Sequence, residues 1–445
     1  MADRVTVIGW DGTPLAPAAR AALRAATLVA GAPRHLALPD VPPHAERVQL
    51  GSVAVAARRV AAHRGTAVVL ADGDPGFFGV VRALRDPAHG LEVEVVPAVS
   101  AVATAFARAG MPWDDARVVV ASHRTLRRAV NVCRAHPKVA VLTAPGAGPA
   151  EIALLLGPVH RTFVICEALG TDRERVSVLT SDTVPQRQWT DPNVVIVIGG
   201  GGITGRGGES WLAGEDPGIR AEPRGWGLPP AAYLPPLPGA GLVRTGNAAP
   251  TVETGTRLPH PAPPGVPEQE HPGRGPRLRA LQLAVLGPRM GDLMWDVGTG
   301  DGLAAADAAR LGAAVVAIDR DGRACARTEA TARHLGVGIH VVHGAAPQVL
   351  QDLPEPDIIR VGGGGHRTLV TCADRRAQRI VTHAVTRDEA EAAGRVLSSA
   401  GYTVECTLLQ SVELAADDWA ERERAVVFLL SGARPADPRS PHAHP

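Results

Sequence analysis

Two glycine signatures of different construction stand in this chain, VVLADGDPGFFGVV at Val68–Val81 and LMWDVGTGDG at Leu293–Gly302. Each begins in a strand-like apolar run, and each lets main chain come close to a small ligand where a side chain would block it. Because their local grammar differs, they predict two ligand-binding domains with two folds. The length of 445 residues agrees, being too great for one ordinary core.

From Val5 to about Gly200, short β-branched runs alternate with Ala, Leu and Arg stretches of helical period, the pattern of an α/β domain with a largely buried sheet. The runs predict strands at 5–8, 68–70, 93–96, 118–120, 139–142, 163–166 and 194–198. The pattern then stops. From Gly199 to about Gly275 glycine and proline dominate, as in PPLPG at Pro235–Gly239 and HPAPPGVP at His260–Pro267. Such a composition buries too little apolar surface to offset its ordering entropy and predicts a linker over 201–274, within which Trp226–Tyr233 is the stretch suited to local docking. Order resumes with Leu278, Leu281 and Val285 on one helical face, and strands are expected at 293–297, 314–318, 339–342, 358–361, 379–382, 402–409 and 425–430. The second α/β domain is placed at 275–432 and a disordered tail at 433–445.

In the second signature the glycines occupy the turn between the strand Leu293–Val297 and the Ala-rich helix Leu303–Leu311, the turn that faces the ligand crevice in open α/β sheets. The spacing is G-x-G-x-G, not the dinucleotide G-x-G-x-x-G, and Asp296 precedes the first glycine by two residues. An acid there suits a cation better than a pyrophosphate, and S-adenosylmethionine carries both an ammonium and a sulfonium. Asp319 closes the next strand, about twenty residues on, where a carboxylate can accept hydrogen bonds from a ribose diol. An ordinary tight turn, with Asp319 capping the next helix, and a dehydrogenase are the competing readings. Asp296 and the glycine spacing argue against the dehydrogenase.

Charge and cysteine usage narrow the classes. Forty-six basic residues face 45 acidic ones, a net charge of +1, so no global field draws the chain to nucleic acid or membrane. Lys138 is the single lysine, and the arginines that supply the remaining positive charge pair with carboxylates through a planar fork. Five scattered cysteines without metal spacing point to a reducing compartment. The opening MADRVTVIGWDG runs straight into a strand pattern, and no apolar stretch is long enough to span a bilayer, so a soluble cytoplasmic protein is expected. No metal site is expected; self-association is left open.

Taken in order, VTVIGWDG at Val5–Gly12, GDPGFFG at Gly73–Gly79, EVVPAVSAVATAFARAGMPWDDA at Glu94–Ala116, SHR at Ser122–Arg124, VLTAPGAGPAEIA at Val141–Ala153 and CEALGTDRERV at Cys166–Val176 resemble the tetrapyrrole methylase family. With the second half included, the chain resembles the cobalamin-pathway fusions of a two-lobed tetrapyrrole methylase domain with a Rossmann-like S-adenosylmethionine-dependent methyltransferase domain. The resemblance covers about Val5–Ile198 and Leu278–Leu430. It implies a small-molecule precorrin substrate methylated at ring carbons 5 and 15 with loss of an acetate carboxyl. It also implies donor contacts at Gly9, Asp72, Gly73, Asp74, Pro75, Ser100 and Ala101 in the first half, and at Asp296, Gly298, Gly300, Asp319 and Gly363 in the second. His123, Arg124, Arg279 and Arg367 are candidates for the substrate and its carboxylates. The chain departs from the family at Arg360, where an apolar residue is usual, and at HGAAP (His343–Pro347), which lacks an acid to meet an adenine.

Methyl transfer from a sulfonium is an in-line displacement on an activated donor, so alignment is the protein's main task and no catalytic triad is expected. Three classes stay open: the fused methyltransferase; a different enzyme, such as a single-activity methylase with a weakened C-terminal domain or a nucleotide-dependent oxidoreductase; and a non-catalytic protein that binds donor or tetrapyrrole.

Overall fold

The computed structural model describes residues 4–51, 53–199, 227, 233 and 275–434. By contacts the chain divides into two units, Met1–Pro217 and Gly218–Pro445. Among the described residues the strands form three sheets.

The first unit holds two of them. In its first lobe β1 (Arg4–Trp10), β2 (Leu28–Gly31), β3 (Glu46–Gln49), β4 (Ala67–Asp72) and β5 (Glu92–Val96) lie in the order β3-β2-β4-β1-β5, every pair parallel. Helices cover both faces, so the central strands are apolar on both: Val5, Val7 and Val69 pack on one side, Ile8, Val68 and Leu70 on the other. The sequence pattern finds β1, β4 and β5 and misses two. β2 is the short LVAG, and β3 is the edge strand ERVQ, largely exposed and polar; neither carries a β-branched run.

In the second lobe β6 (Arg117–Val120), β7 (Lys138–Leu142), β8 (Thr162–Glu167), β9 (Arg175–Thr180) and β10 (Asn193–Ile198) take the order β6-β7-β10-β8-β9. Only β6 and β7 are parallel; β10 runs against β7 and β8, and β9 against β8. β9, which the sequence pattern also misses, is again a mostly exposed edge strand.

The second unit has one seven-stranded sheet: β11 (Leu293–Val297), β12 (Ala314–Asp319), β13 (Ile339–His343), β14 (Ile358–Val361), β15 (Arg379–Ala384), β16 (Thr403–Leu414) and β17 (Glu421–Ala433), in the order β13-β12-β11-β14-β15-β17-β16. The first five run parallel, and the β16–β17 hairpin closes the edge antiparallel. All seven expected strands are present. Strand order reverses between β11 and β14, and a ligand crevice opens at such a switch point.

One expectation about this unit fails in detail. The helix Pro276–Leu286 buries Leu278, Arg279, Gln282, Leu283 and Leu286, while Leu281 is exposed. An apolar pattern cannot anticipate an inward face containing an arginine and a glutamine. Both are buried because both have polar partners there, Asp307 for Arg279 and Arg360 for Gln282.

Most of the expected linker and the end of the expected tail lie outside the described residues. Gly227 and Tyr233 are exceptions, and they dock. The Tyr233 ring is fully buried, and its hydroxyl donates to Asp307 at 2.7 and 2.9 Å. The Gly227 N–H reaches the same carboxylate at 3.1 Å, and the Arg279 guanidinium lies over the Tyr233 ring at 5.3 Å. No helix among the described residues is long and apolar enough to cross a membrane. Cys133, Cys166, Cys325 and Cys372 are buried and Cys406 is exposed; burial pushes the Cys133 and Cys372 thiols up to about 12.

Candidate functional sites

In the first unit, a cleft of about 850 Å³ is lined from both lobes: by the ends of β1 and β4, the start of the helix Ala101–Ala109, and the ends of β7 and β8 with the start of β10. That volume is in the range of small-molecule sites. Gly73 explains how the loops meet. Its φ is +59°, and an added Cβ would lie 2.9 Å from the Ala101 nitrogen and 3.0 Å from the Ser100 Cα. Only glycine lets the β4 loop close against this helix start.

Of the residues expected here, Asp72, Gly73 and Ala101 line the cleft. Gly9, Asp74, Pro75 and Ser100 stand behind that lining. Gly9 packs on main chain, where a Cβ would meet the Gly73 carbonyl oxygen at 2.2 Å. Asp74 accepts from the Gly76 N–H at 2.8 Å, and Ser100 caps its helix by accepting from the Ala103 N–H at 3.1 Å. Their work is to shape loops.

Asp72 is half exposed and held from two sides. The Ala32 N–H donates to His35 Nδ1 at 3.2 Å, so the ring proton resides on Nε2, which donates to Asp72 at 2.8 Å. Arg34 grips the same carboxylate through Nε at 3.1 Å and through Nη2. Burial raises the pKa of Asp72, but the His35 and Arg34 contacts outweigh it and keep the carboxyl below its ordinary range. Asp11 behaves alike: burial opposes its charge, while bonds from Thr13 and Val99 prevail. At the far wall Glu167 is almost fully buried, accepting from Arg175 at 2.6 Å and from the Thr190 N–H at 2.8 Å.

Trp10 and Asp11, in the expected Gly9–Gly12 loop, also line the cleft, whereas Arg34, Arg173, Arg175 and Glu167 are lining residues that motif reasoning did not single out. Glu167 and both later arginines lie in the quoted segment CEALGTDRERV, so a signal existed. Arg34 had none, because it follows the unrecognised β2. His123 and Arg124 are exposed after β6, one strand outward from Leu142 and Thr143, and do not line the cleft. The arginines that do are Arg34, Arg173 and Arg175.

In the second unit the crevice loop follows β11. Gly298, Gly300 and Gly302 have φ of +72°, +64° and +74°, a conformation only glycine takes without strain. Asp319 at the end of β12 braces this loop, accepting from the Gly300 N–H at 2.9 Å and from the Asp321 N–H at 3.0 Å. The loop after β14 comes to meet it: a Cβ on Gly298 would lie 2.7 Å from the Gly363 nitrogen. Gly363 itself is exposed, as is Arg367 in the first turn of the next helix.

Two expected roles are corrected here. Arg279 does not offer its charge to a substrate; it is 5% exposed and paired with Asp307 at 3.3 Å. Asp296 is fully buried, and its carboxylate accepts from Arg360 Nη1 at 2.6 Å and from the Thr299 hydroxyl at 2.7 Å. Its charge is matched inside the protein.

An S-adenosylmethionine molecule fits the donor set of both places. The cleft joins acidic groups to closely approached main chain, and the crevice has a three-glycine loop with an acid at the end of the neighbouring strand. Comparison with known proteins agrees with this division. The family model for tetrapyrrole (corrin/porphyrin) methylases matches residues 11–185, and that for a precorrin methyltransferase domain matches residues 275–416. A precorrin-6Y C(5,15)-methyltransferase [decarboxylating] from Sinorhizobium sp is 30% identical over 400 residues, covering 86% of this chain and 84% of its own. A cobalt-precorrin-7 C(5)-methyltransferase from Salmonella typhimurium is 36% identical over 40% of this chain and 92% of its own length. A probable cobalt-precorrin-6B C(15)-methyltransferase (decarboxylating) from Pyrobaculum calidifontis is 34% identical over 33% of this chain and 83% of its own. By the 30% identity over most of both chains and the two family models matched, the chain belongs to the family of decarboxylating precorrin-6Y C(5,15)-methyltransferases.

Proposed function

We propose that this chain transfers two methyl groups to one tetrapyrrole, precorrin-6Y, at ring carbons 5 and 15, with loss of an acetate carboxyl as carbon dioxide. The C5 transfer belongs to residues 1–200 and the C15 transfer with decarboxylation to 275–432, and the chain works in the cytoplasm. The observation that carries this reading is the presence in one chain of two donor-type sites on unrelated sheets, the inter-lobe cleft and the β11/β14 crevice.

When bound, S-adenosylmethionine supplies a methyl already activated on sulfur. In the cleft, Asp11 stays ionised at neutral pH and favours a cationic ligand, Asp72 has its charge matched by Arg34, and Gly73 and Ala101 bring main chain beside the ligand. Arg173 offers a planar fork to a substrate carboxylate, while the forks of Arg34 and Arg175 are engaged by Asp72 and Glu167. In the crevice, Asp319 and the glycine loop hold the ribose side, with Gly363 and Arg367 at the mouth. Neither half needs a protein nucleophile. Each holds an electron-rich ring carbon in line with the methyl and keeps water away.

Mass spectrometry of precorrin-6Y incubated with the chain and donor tests this. Two added methyls and one lost carbon dioxide are expected. One added methyl with no loss would assign activity to the N-terminal half alone, a reading favoured by the internal pairing of Asp296.

A further inference from the structure

Asp296 and Arg360 are direct cross-strand neighbours, each the second-last residue of its strand, at the switch point where β11 and β14 diverge. The guanidinium is nearly buried. Its Nη1 donates to Asp296 at 2.6 Å, and its Nε donates to Gln282 Oε1 at 2.8 Å. It also lies directly beneath the β14 loop, since a Cβ on Gly362 would be 2.9 Å from Nη1. Gln282 is 1% exposed, and its Nε2 has no hydrogen-bond partner. A polar cluster therefore fills the space below both glycine loops, and its only anion is already matched by its own cation.

Opposite charges at hydrogen-bond distance cancel to a dipole, whose field falls off far faster than that of a lone carboxylate. A cationic ligand above the loops gains little from Asp296 while Arg360 is in place. We infer that Arg360 sets the affinity of the C-terminal half for its sulfonium donor, by neutralising the one buried acid beneath the crevice and so holding that affinity below what the acid would provide. It is a positioning residue acting through Asp296. The inference rests on the crevice being a donor site.

The test uses the full chain and hydrogen exchange, reading the donor concentration that half-protects the amides of Gly298–Gly302. Arg360→Met removes the cation while filling much of its volume. The expected result is at least tenfold tighter binding of S-adenosylmethionine, about 1.4 kcal/mol. Affinity for adenosine, which carries neither cationic centre, stays within about twofold, and the donor concentration protecting Ala101–Thr104 in the other unit is unchanged. Mere loosening of the crevice would weaken both ligands. The double variant Asp296→Asn with Arg360→Met carries no charge at this point and is expected to bind the donor within about threefold of the unaltered chain.

Unchanged or weaker donor binding in Arg360→Met, with the unaltered chain still protected, overturns the inference and leaves the crevice as a donor site. A tenfold loss in the double variant also overturns it, because Asp296 would then be holding the donor directly. No protection of Gly298–Gly302 in any form removes the donor-site reading, and the inference falls with it.

Discussion

Adding one methyl group at Gly73 tests whether the N-terminal cleft is shaped by close approach of main chain. Gly73→Ala meets two separate costs. Its φ of +59° lies in the left-handed region, which costs an L-residue roughly 1–2 kcal/mol. The new Cβ would also stand 2.9 Å from the Ala101 nitrogen, 3.0 Å from the Ser100 Cα and 3.1 Å from the Val99 oxygen. Carbon contacts are optimal at about 3.5 Å or more, so the β4 loop and the helix start must separate by roughly half an ångström, at about 1–3 kcal/mol for overpacking. Gly146→Ala isolates the first cost, because Gly146 has φ +75° and nothing within 4 Å of its added Cβ. Hydrogen exchange at β1 and β4, compared with exchange at β7 for the Gly146 variant, measures opening free energies without assuming that both lobes unfold together. Gly73→Ala should lose about 1–3 kcal/mol more than Gly146→Ala. Donor affinity at the cleft, read from protection of Ala101–Thr104, should fall at least tenfold, about 1.4 kcal/mol. With precorrin-6Y, methylation at C5 should fall while decarboxylation persists. Equal stability losses in the two variants, with unchanged donor affinity, would refute the cradle built at Gly73.

Three further outcomes follow from individual side chains. Tyr233→Phe keeps the buried ring but removes the donor to Asp307, at about 1.5–3 kcal/mol for a hydrogen bond to a charged group; calorimetry should show the C-terminal transition lowered by roughly 3–10 °C, and a shift below about 1 °C would rule out the docking. His136 is pushed down to about 4 by burial and by Arg117, and its Nε2 has no hydrogen-bond partner. The unfolded chain takes up this proton near pH 6.5 and the folded chain only near 4, so the contribution is complete above pH 6.5 and falls with decreasing pH, by about 3 kcal/mol in total. Urea titrations across that window should lose this slope in His136→Phe. Asp319→Asn replaces a carboxylate accepting two N–H bonds with an amide able to accept only through its oxygen. Donor affinity at Gly298–Gly302 should fall about tenfold, roughly 1.4 kcal/mol, with Ala101–Thr104 unaffected.

The sequence was most legible where strands are central and apolar. β12, β14 and β15, buried over most of their length, coincide with expected β-branched runs, as a sheet covered on both faces demands, and β16 was found although it is a mostly exposed edge strand. The strands it concealed, β2, β3 and β9, are short or mostly exposed, and β2 and β3 carry no β-branched run. The sites divide in the same way. Gly73, Gly298, Gly300 and Gly302 were readable because a glycine needed for backbone reasons has no substitute. Arg34 and His35, which grip Asp72 from 38 and 37 residues away, were not readable.

By itself the sequence determined the α/β class of the chain and the strand-to-turn positions of both glycine signatures. These follow from periodicity and from backbone conformations that a side chain forbids. Only the tertiary structure decided the fate of the charges. Asp296 and Arg360, apart by 64 residues, become neighbours through β11 and β14, and Arg279 meets Asp307 across 28. A charged side chain has the same one-letter code whether it faces solvent, a ligand or a buried partner. Folding brings the partner within hydrogen-bond reach, and that contact settles which acids and arginines are left for function.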